Sequence, residues 1–258
     1  MRKHIPNSIT LLNLFCGCLA AVFAVRSEFN LAALFLVLGI FFDFLDGLAA
    51  RALKVQSNLG LQLDSLADMV TSGLVPGIVM FKLLRFSLTN PLENSWNVVS
   101  SSPLYVVESE IFWRSWLLPT LGFLITLASA YRLAKFNIDD RQTTSFIGLP
   151  TPANALLIVS IGLMVYSADY STYNPVLLHP GFLIGLTLLS SYLLNAKMQL
   201  FAFKFKSWGF KANALRYSFI GMSIVLLVTL KVLAIPIIIG FYIISSLVAN
   251  QVGQKESY

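Results

Sequence analysis

Asp43-Phe-Leu-Asp46-Gly47-Leu-Ala-Ala50-Arg51, eight further residues, then Gly60-Leu-Gln-Leu-Asp64-Ser-Leu-Ala-Asp68: this stretch sets four carboxylates at regular spacing in and beside apolar sequence. A carboxylate in a bilayer helix costs roughly 2.5–3.5 kcal/mol on insertion scales. Such residues persist where they face a cavity and bind something. Four together repel one another unless cations neutralise them. The chain has 12 acidic residues in 258, and four of them fall between positions 43 and 68. That concentration points first to a metal site.

The flanking sequence decides what kind of protein holds them. The chain is 57% hydrophobic and 12% charged, with a mean hydropathy of +0.76. Soluble domains carry about 25% charged residues, so an integral membrane protein is expected, read as one domain over 1–258. The net charge of +6 comes with no basic tail or RNA-binding motif, so nucleic acid is excluded as a partner. Cys16 and Cys18 lie two apart in an apolar run and are read as small hydrophobes, not as a disulfide or metal pair. His4 and His179 are isolated and read as non-catalytic. The start, Met1-Arg2-Lys3-His4, imitates a signal peptide, but Ala24-Val25-Arg26 is a poor cleavage site and the first helix is expected to be retained.

A bilayer core of about 30 Å needs runs of roughly 17–25 apolar residues. Eight candidates occur, at 8–26, 29–51, 63–86, 112–136, 151–169, 180–197, 213–231 and 233–250. The last two, parted only by Lys231 to Pro236, form a tight hairpin or one broken element. Alternating the ends between two sides places 13 Lys and Arg on one side and 5 on the other. The positive-inside rule then puts both termini, and the aspartates at the end of the second span, on the cytoplasmic side of the cell membrane. The outer loop, about 87–111, carries Glu93, Glu108 and Glu110.

At about 100° per residue, Asp43 and Asp46 share a helix face, and Gly60, Asp64 and Asp68 follow one another a turn apart. Two helices joined by a short turn would present all four carboxylates to each other. Oxygen-only ligation with open positions suits Mg²⁺ or Mn²⁺ with phosphate oxygens. Two such ions about 3.5–4 Å apart clamp displacement at phosphorus. Gly47 and Gly60 remove bulk where a ligand or facing helix must approach, and Arg51 offers a planar fork for phosphate. Helix capping or pairing with Arg51 and Lys54 could occupy a single aspartate, but not the whole array.

With its eight fixed positions filled, Asp43-x-x-Asp46-Gly47-x-x-Ala50-Arg51 … Gly60-x-x-x-Asp64-x-x-x-Asp68 resembles the signature of the CDP-alcohol phosphotransferases. The resemblance implies an all-α polytopic membrane bundle with a six-helix catalytic core, here about 1–200, extended by two helices at about 213–250, and a homodimer. It implies attack by an alcohol on a CDP-activated phosphate, with CMP leaving. By position, Asp43, Asp46 and Asp64 would be ligands of two Mg²⁺ or Mn²⁺ ions. Asp68 would bind the second ion and act as general base. Gly47, Ala50, Arg51 and Gly60 would shape the CDP-lipid site along with Asp43 and Asp46.

The signature does not name the acceptor. Ile5-Pro6-Asn7-Ser8-Ile-Thr10, Arg132-Leu-Ala-Lys135-Phe136-Asn137 and Phe146-Ile-Gly148-Leu-Pro150-Thr151-Pro152-Ala-Asn154 resemble the phosphatidylserine synthases of this family. An arginine is more often expected where Lys135 stands. The resemblance implies CDP-diacylglycerol and L-serine as substrates, with Arg132, Lys135, Asn137 and Asn154 as candidate serine contacts. Arg132 and Lys135 read equally as residues marking the cytoplasmic border, and Pro150 and Pro152 as a helix start. Glycerol phosphate, inositol phosphate or another amino alcohol remain as acceptors. A cation-coupled transporter is the reading from another class, against which stands the lack of a second aspartate array in 130–258. Phenylalanines and lysines interleaved over Lys197 to Lys211 suit a lipid interface, Trp96, Tyr105, Trp113 and Trp116 an aromatic belt, and Asp139 and Asp140 a solvated turn.

Overall fold

The computed structural model describes residues 4–89, 113–138, 146–200 and 214–255. The expectations for Trp96, Tyr105, Asp139, Asp140 and most of Lys197 to Lys211 lie outside them.

Almost all of the described chain is helical. Helix α1 (His4–Val25) and helix α2 (Phe29–Ala52) form an antiparallel pair turned by Ser27 in a left-handed conformation, φ 61°. Their seam includes Ala20, Ala24, Ala32 and Leu36, all without solvent exposure. Small residues bring the helices close, and in lipid such packing supplies the association that hydrophobic burial supplies in water.

A five-residue link leads to α3 (Asn58–Asp68), which Ser57 caps by accepting from the Gly60 backbone N–H at 3.1 Å. This side-chain cap satisfies one of the free N–H groups that every helix start exposes. The chain continues without a break through a π-helical segment, Met69–Leu74, into α4 (Val75–Leu88). Together they make a 31-residue rod, Asn58–Leu88, long enough to cross a membrane. The span expected at 63–86 therefore begins five residues earlier, because the capped polar turn belongs to the same helix.

The fourth expected span opens irregularly, as a π turn and a 3-10 turn over Trp113–Phe123, before α5 (Leu124–Ile138). Helix α6 (Thr151–Tyr166) carries Pro152 in its first turn and stops at Ser167, where the axis bends by 100° into the short helical stretch Ala168–Leu177, which ends in α7 (Asn174–Leu177). The expected run 151–169 is thus broken near its end. Helix α8 (Pro180–Asn195) is capped by His179 Nδ1, which accepts from the Gly181 N–H at 3.2 Å.

The final apolar stretch, Tyr217–Leu247, doubles back on itself. Helix α9 (Ala214–Leu230) and helix α10 (Ala234–Lys255) meet at Lys231, φ 51°. Phe219 stacks on Phe241 with ring centroids 5.7 Å apart. A straight helix would part these residues by about 33 Å, so the hairpin is the alternative realised. By length and composition, His4–Val25, Phe29–Ala52 and Asn58–Leu88 can each cross a membrane, with the bent Thr151–Leu177 pair as a further candidate; Tyr217–Leu247 is apolar enough, but its fold-back at Lys231 divides it into two limbs.

The main core, with Phe29, Leu36, Met80, Leu84, Ile125, Ile158 and Leu183, joins α1, α2, α4, α5, α6 and α8. A second cluster, Leu149, Leu193, Phe219, Ile239 and Tyr242, attaches the C-terminal hairpin. A two-residue antiparallel pair, β1 (Phe146–Ile147) with β2 (Gln199–Leu200), ties the approaches to α6 and α9 together. Gly148 leaves it at φ 75°, where a side chain would meet the Leu194 carbonyl.

Candidate active site

Asp43 and Asp46 lie on the last turns of α2, and Asp64 and Asp68 on the last turns of α3. The two helices deliver Asp43, Asp46 and Asp64 so that one carboxylate oxygen of each falls within 4.8 Å of the others. Asp46 is 5% exposed and the other three are half-buried. Asp64 Oδ1 is enclosed and has no hydrogen-bond partner among the described residues. Three anionic groups at this separation, with a buried orphan oxygen, fit a hard divalent cation well.

Asp68 stands beside this triad. Its charge interacts with those of Asp64 and Asp46 and with the Arg132 guanidinium. Its Oδ1 accepts from Asn13 Nδ2 at 3.3 Å. Asp46 Oδ2 accepts from Thr10 Oγ1 at 2.5 Å. Two carboxylates therefore have one oxygen tethered by α1.

A cleft of about 440 Å³ opens next to the triad, lined by Asp46, Gly47, Ala50, Gly60 and Asp64 together with Thr10 and the Val55–Asn58 link. Five signature positions thus face one space. At Gly47 an added Cβ would meet only Arg51 Nη2, at 3.8 Å. No helix crowds that glycine, so the space it leaves belongs to the cleft. Arg51 is exposed at the rim with its guanidinium beside Gly47.

The four positions expected to contact serine separate into different surroundings. Arg132 on α5 is half-buried, interacts electrostatically with Asp68, and has Nε enclosed without a hydrogen-bond partner among the described residues. Lys135 is half-buried on the same helix. Asn137 instead bridges α5 to α3, donating to Ser65 Oγ at 2.9 Å. Asn154 at the start of α6 is 0% exposed, and both its amide atoms lack partners among the described residues. Sequence reasoning missed Asn13 and Thr71 as contributors. The usable signal was an amide at position 13 within an otherwise apolar span.

The sequence profile of the CDP-alcohol phosphatidyltransferase family matches residues 3–193, three quarters of the chain. The chain belongs to this family. Among relatives, the CDP-diacylglycerol–serine O-phosphatidyltransferase of Bacillus subtilis strain 168 is 31% identical, over 78% of this chain and 92% of its own length. The protein of the same name in Helicobacter pylori strain J99 is 26% identical over 94% of this chain and 89% of its own. That of Methanocaldococcus jannaschii is 30% identical over 72% and 71%. The match to the CDP-alcohol phosphatidyltransferases covers α1 to α8 and contains every carboxylate of the cleft.

Proposed function

We propose that the protein is a CDP-diacylglycerol–serine O-phosphatidyltransferase, which joins the phosphatidyl group to L-serine and releases CMP. The observation that supports this most is the joining of five signature residues around one cleft beside three converging carboxylates. The relatives named for that reaction give the acceptor.

In this reading Asp43, Asp46 and Asp64, joined by Asp68 for a second ion, would hold two divalent cations, Mg²⁺ or Mn²⁺. Bound cations would offset negative charge on the phosphate oxygens and on departing CMP. Gly47, Ala50 and Gly60 leave room for the CDP moiety, and Arg51 at the rim pairs with phosphate. The serine hydroxyl oxygen forms a bond to the phosphorus that carries diacylglycerol. The bond from that phosphorus to the CMP oxygen breaks, and CMP departs with the electron pair. Asp68 takes the hydroxyl proton, since an alcohol is otherwise a weak nucleophile. Arg132, adjacent to Asp68, receives the serine carboxylate, and the unpaired amide of Asn154 is a further polar group for the acceptor. Lys135 adds positive charge on the same side. Asn137, engaged with Ser65, contributes by fixing α5 to α3.

The reading includes a cell-membrane protein with both termini and the cleft on the cytoplasmic side, supported by the 13 against 5 distribution of Lys and Arg. It also includes a homodimer, supported by the family relationship, and one domain with a core over 1–200 and an appended hairpin at 213–250. Purified protein supplied with CDP-diacylglycerol and Mn²⁺ should release CMP only when serine is added. Release with glycerol phosphate or inositol phosphate in place of serine would move the assignment to another acceptor.

A further inference from the structure

Helix α1 adds no carboxylate to the cluster, yet one of its faces is turned toward it. Thr10 and Asn13, three residues apart on that face, donate to Asp46 and Asp68 respectively. Asn13 is 0% exposed. A buried primary amide needs its orientation decided, because its two ends differ only in donor and acceptor character. Thr71 decides it here. Its Oγ1 lies 2.8 Å from Asn13 Oδ1 and 3.2 Å from the Asn13 carbonyl oxygen, and donates toward them. With Oδ1 so occupied, the two N–H groups of Nδ2 are left for Asp68.

The surroundings leave little freedom for any other arrangement. Thr71 sits in the π segment three residues beyond Asp68 and is fully buried. A Cβ on Gly39 would fall 2.7 Å from Thr71 Cγ2 and 3.0 Å from Asn13 Oδ1. Helix α2 therefore closes over the pair with backbone alone, at a distance no larger residue permits.

We propose that Asn13 is a positioning residue for Asp68, and that Thr71 sets the Asn13 amide for that task. The proposal rests on the role given above to Asp68. A carboxylate that takes a proton from an incoming hydroxyl must hold one lone pair on the line of approach. With Oδ1 held by Asn13, Oδ2 is the oxygen left to face the acceptor, on the side where Asp68 would also meet the second cation. Thr10 supports the ion-holding Asp46, whereas Asn13 supports the neighbouring proton acceptor. The two tethers from one helix face thus serve different parts of the reaction.

The test uses the full-length protein in detergent, with Asn13→Ala, Thr71→Val and Thr71→Ser. Three quantities are read: kcat for CMP release, KM for each substrate, and Mn²⁺ affinity from electron paramagnetic resonance of the free ion. Removing such outer supports typically costs about 10–100-fold. Asn13→Ala should lose that much in kcat, with Mn²⁺ affinity and KM for CDP-diacylglycerol within about twofold of the parent. Thr71→Val, which keeps the shape and loses the hydroxyl, should fall in the same direction, and Thr71→Ser should recover most of the activity. Added to Asp68→Asn, Asn13→Ala should cause no further loss.

An Asn13→Ala protein with unchanged kcat, or one losing Mn²⁺ affinity in step with kcat, overturns the proposal. If Asn13→Ala does not fold, equal kcat in Thr71→Val and Thr71→Ser overturns it instead. Full activity in Asp68→Asn would remove the underlying assignment of Asp68. An inactive Asp68→Asn alongside a fully active Asn13→Ala would remove only the present inference.

Discussion

At the scale of single residues, the acidic cluster divides into a converging triad and a fourth carboxylate whose charge is also felt by Arg132. That division separates the expected effects of substitution. Asp68→Asn should lower kcat by about 10²–10⁴-fold, the usual worth of a positioned base, while Mn²⁺ affinity falls far less. Full turnover in that variant would reject the role of base. Arg132→Ala should raise the apparent KM for serine roughly 10–100-fold, the equivalent of one hydrogen-bonded charge, and leave that for CDP-diacylglycerol nearly unchanged. Equal rises for both substrates would place Arg132 outside the acceptor pocket. EDTA should abolish CMP release, with recovery on adding Mg²⁺ or Mn²⁺, and activity surviving chelation would exclude an ion-dependent reaction. All four aspartates and both glycines were legible in the sequence because a costly residue in an apolar run advertises itself. Asn13 was not, because one amide among leucines reads as tolerated polarity until its partners in space are known. Asn137 was legible as polar but not as bonded to Ser65, which lies 72 positions away.

At the scale of elements, a π-helical turn follows Asp68 directly. Turns of this type occur often at functional sites, and here the wider winding brings Thr71 and Ser72 into the interior. Gly39→Val should test how closely α2 fits over that turn. The added methyl groups would press on Thr71 and Asn13 and should cost about 1–3 kcal/mol, visible as a lower melting temperature in detergent. kcat should drop further than Mn²⁺ affinity does, and a variant with parental stability would show that the turn yields. Hydropathy alone located α1, α2, the rod of α3 and α4, the stretch Trp113–Ile138 that ends in α5, α6, α8, α9 and α10 to within about five residues, but not the helical stretch Ala168–Leu177. It missed the start of α3, where Ser57 and Asn58 are too polar to register, and the 100° bend at Ser167, which follows from packing rather than composition. The choice of a hairpin over one long helix at Lys231 was likewise open until the Phe219 and Phe241 rings were seen together.

At the scale of the molecule, the cleft lies at the end of the bundle where α2 runs into α3, and the Ser27 turn lies at the opposite end of α2. In the orientation proposed above from charge asymmetry, the first would face the cytosol and the second the exterior. Ser27→Cys should react with an impermeant maleimide on intact cells, and Gln56→Cys only after permeabilisation. The reverse pattern would invert the protein. Family membership and the all-helical architecture were both legible before the structure, since they rest on local spacing and on composition. The attachment of the C-terminal hairpin through Leu149 and Leu193 was not, because those contacts join distant positions. One consequence concerns biosynthesis. Both tethers on the acidic groups, Thr10 and Asn13, come from α1, which precedes the carboxylates in the chain, and Thr71 follows within the third span. The nascent chain can therefore bring its acidic segment to the bilayer with these hydrogen-bonding partners already made, before α5 to α10 are synthesised.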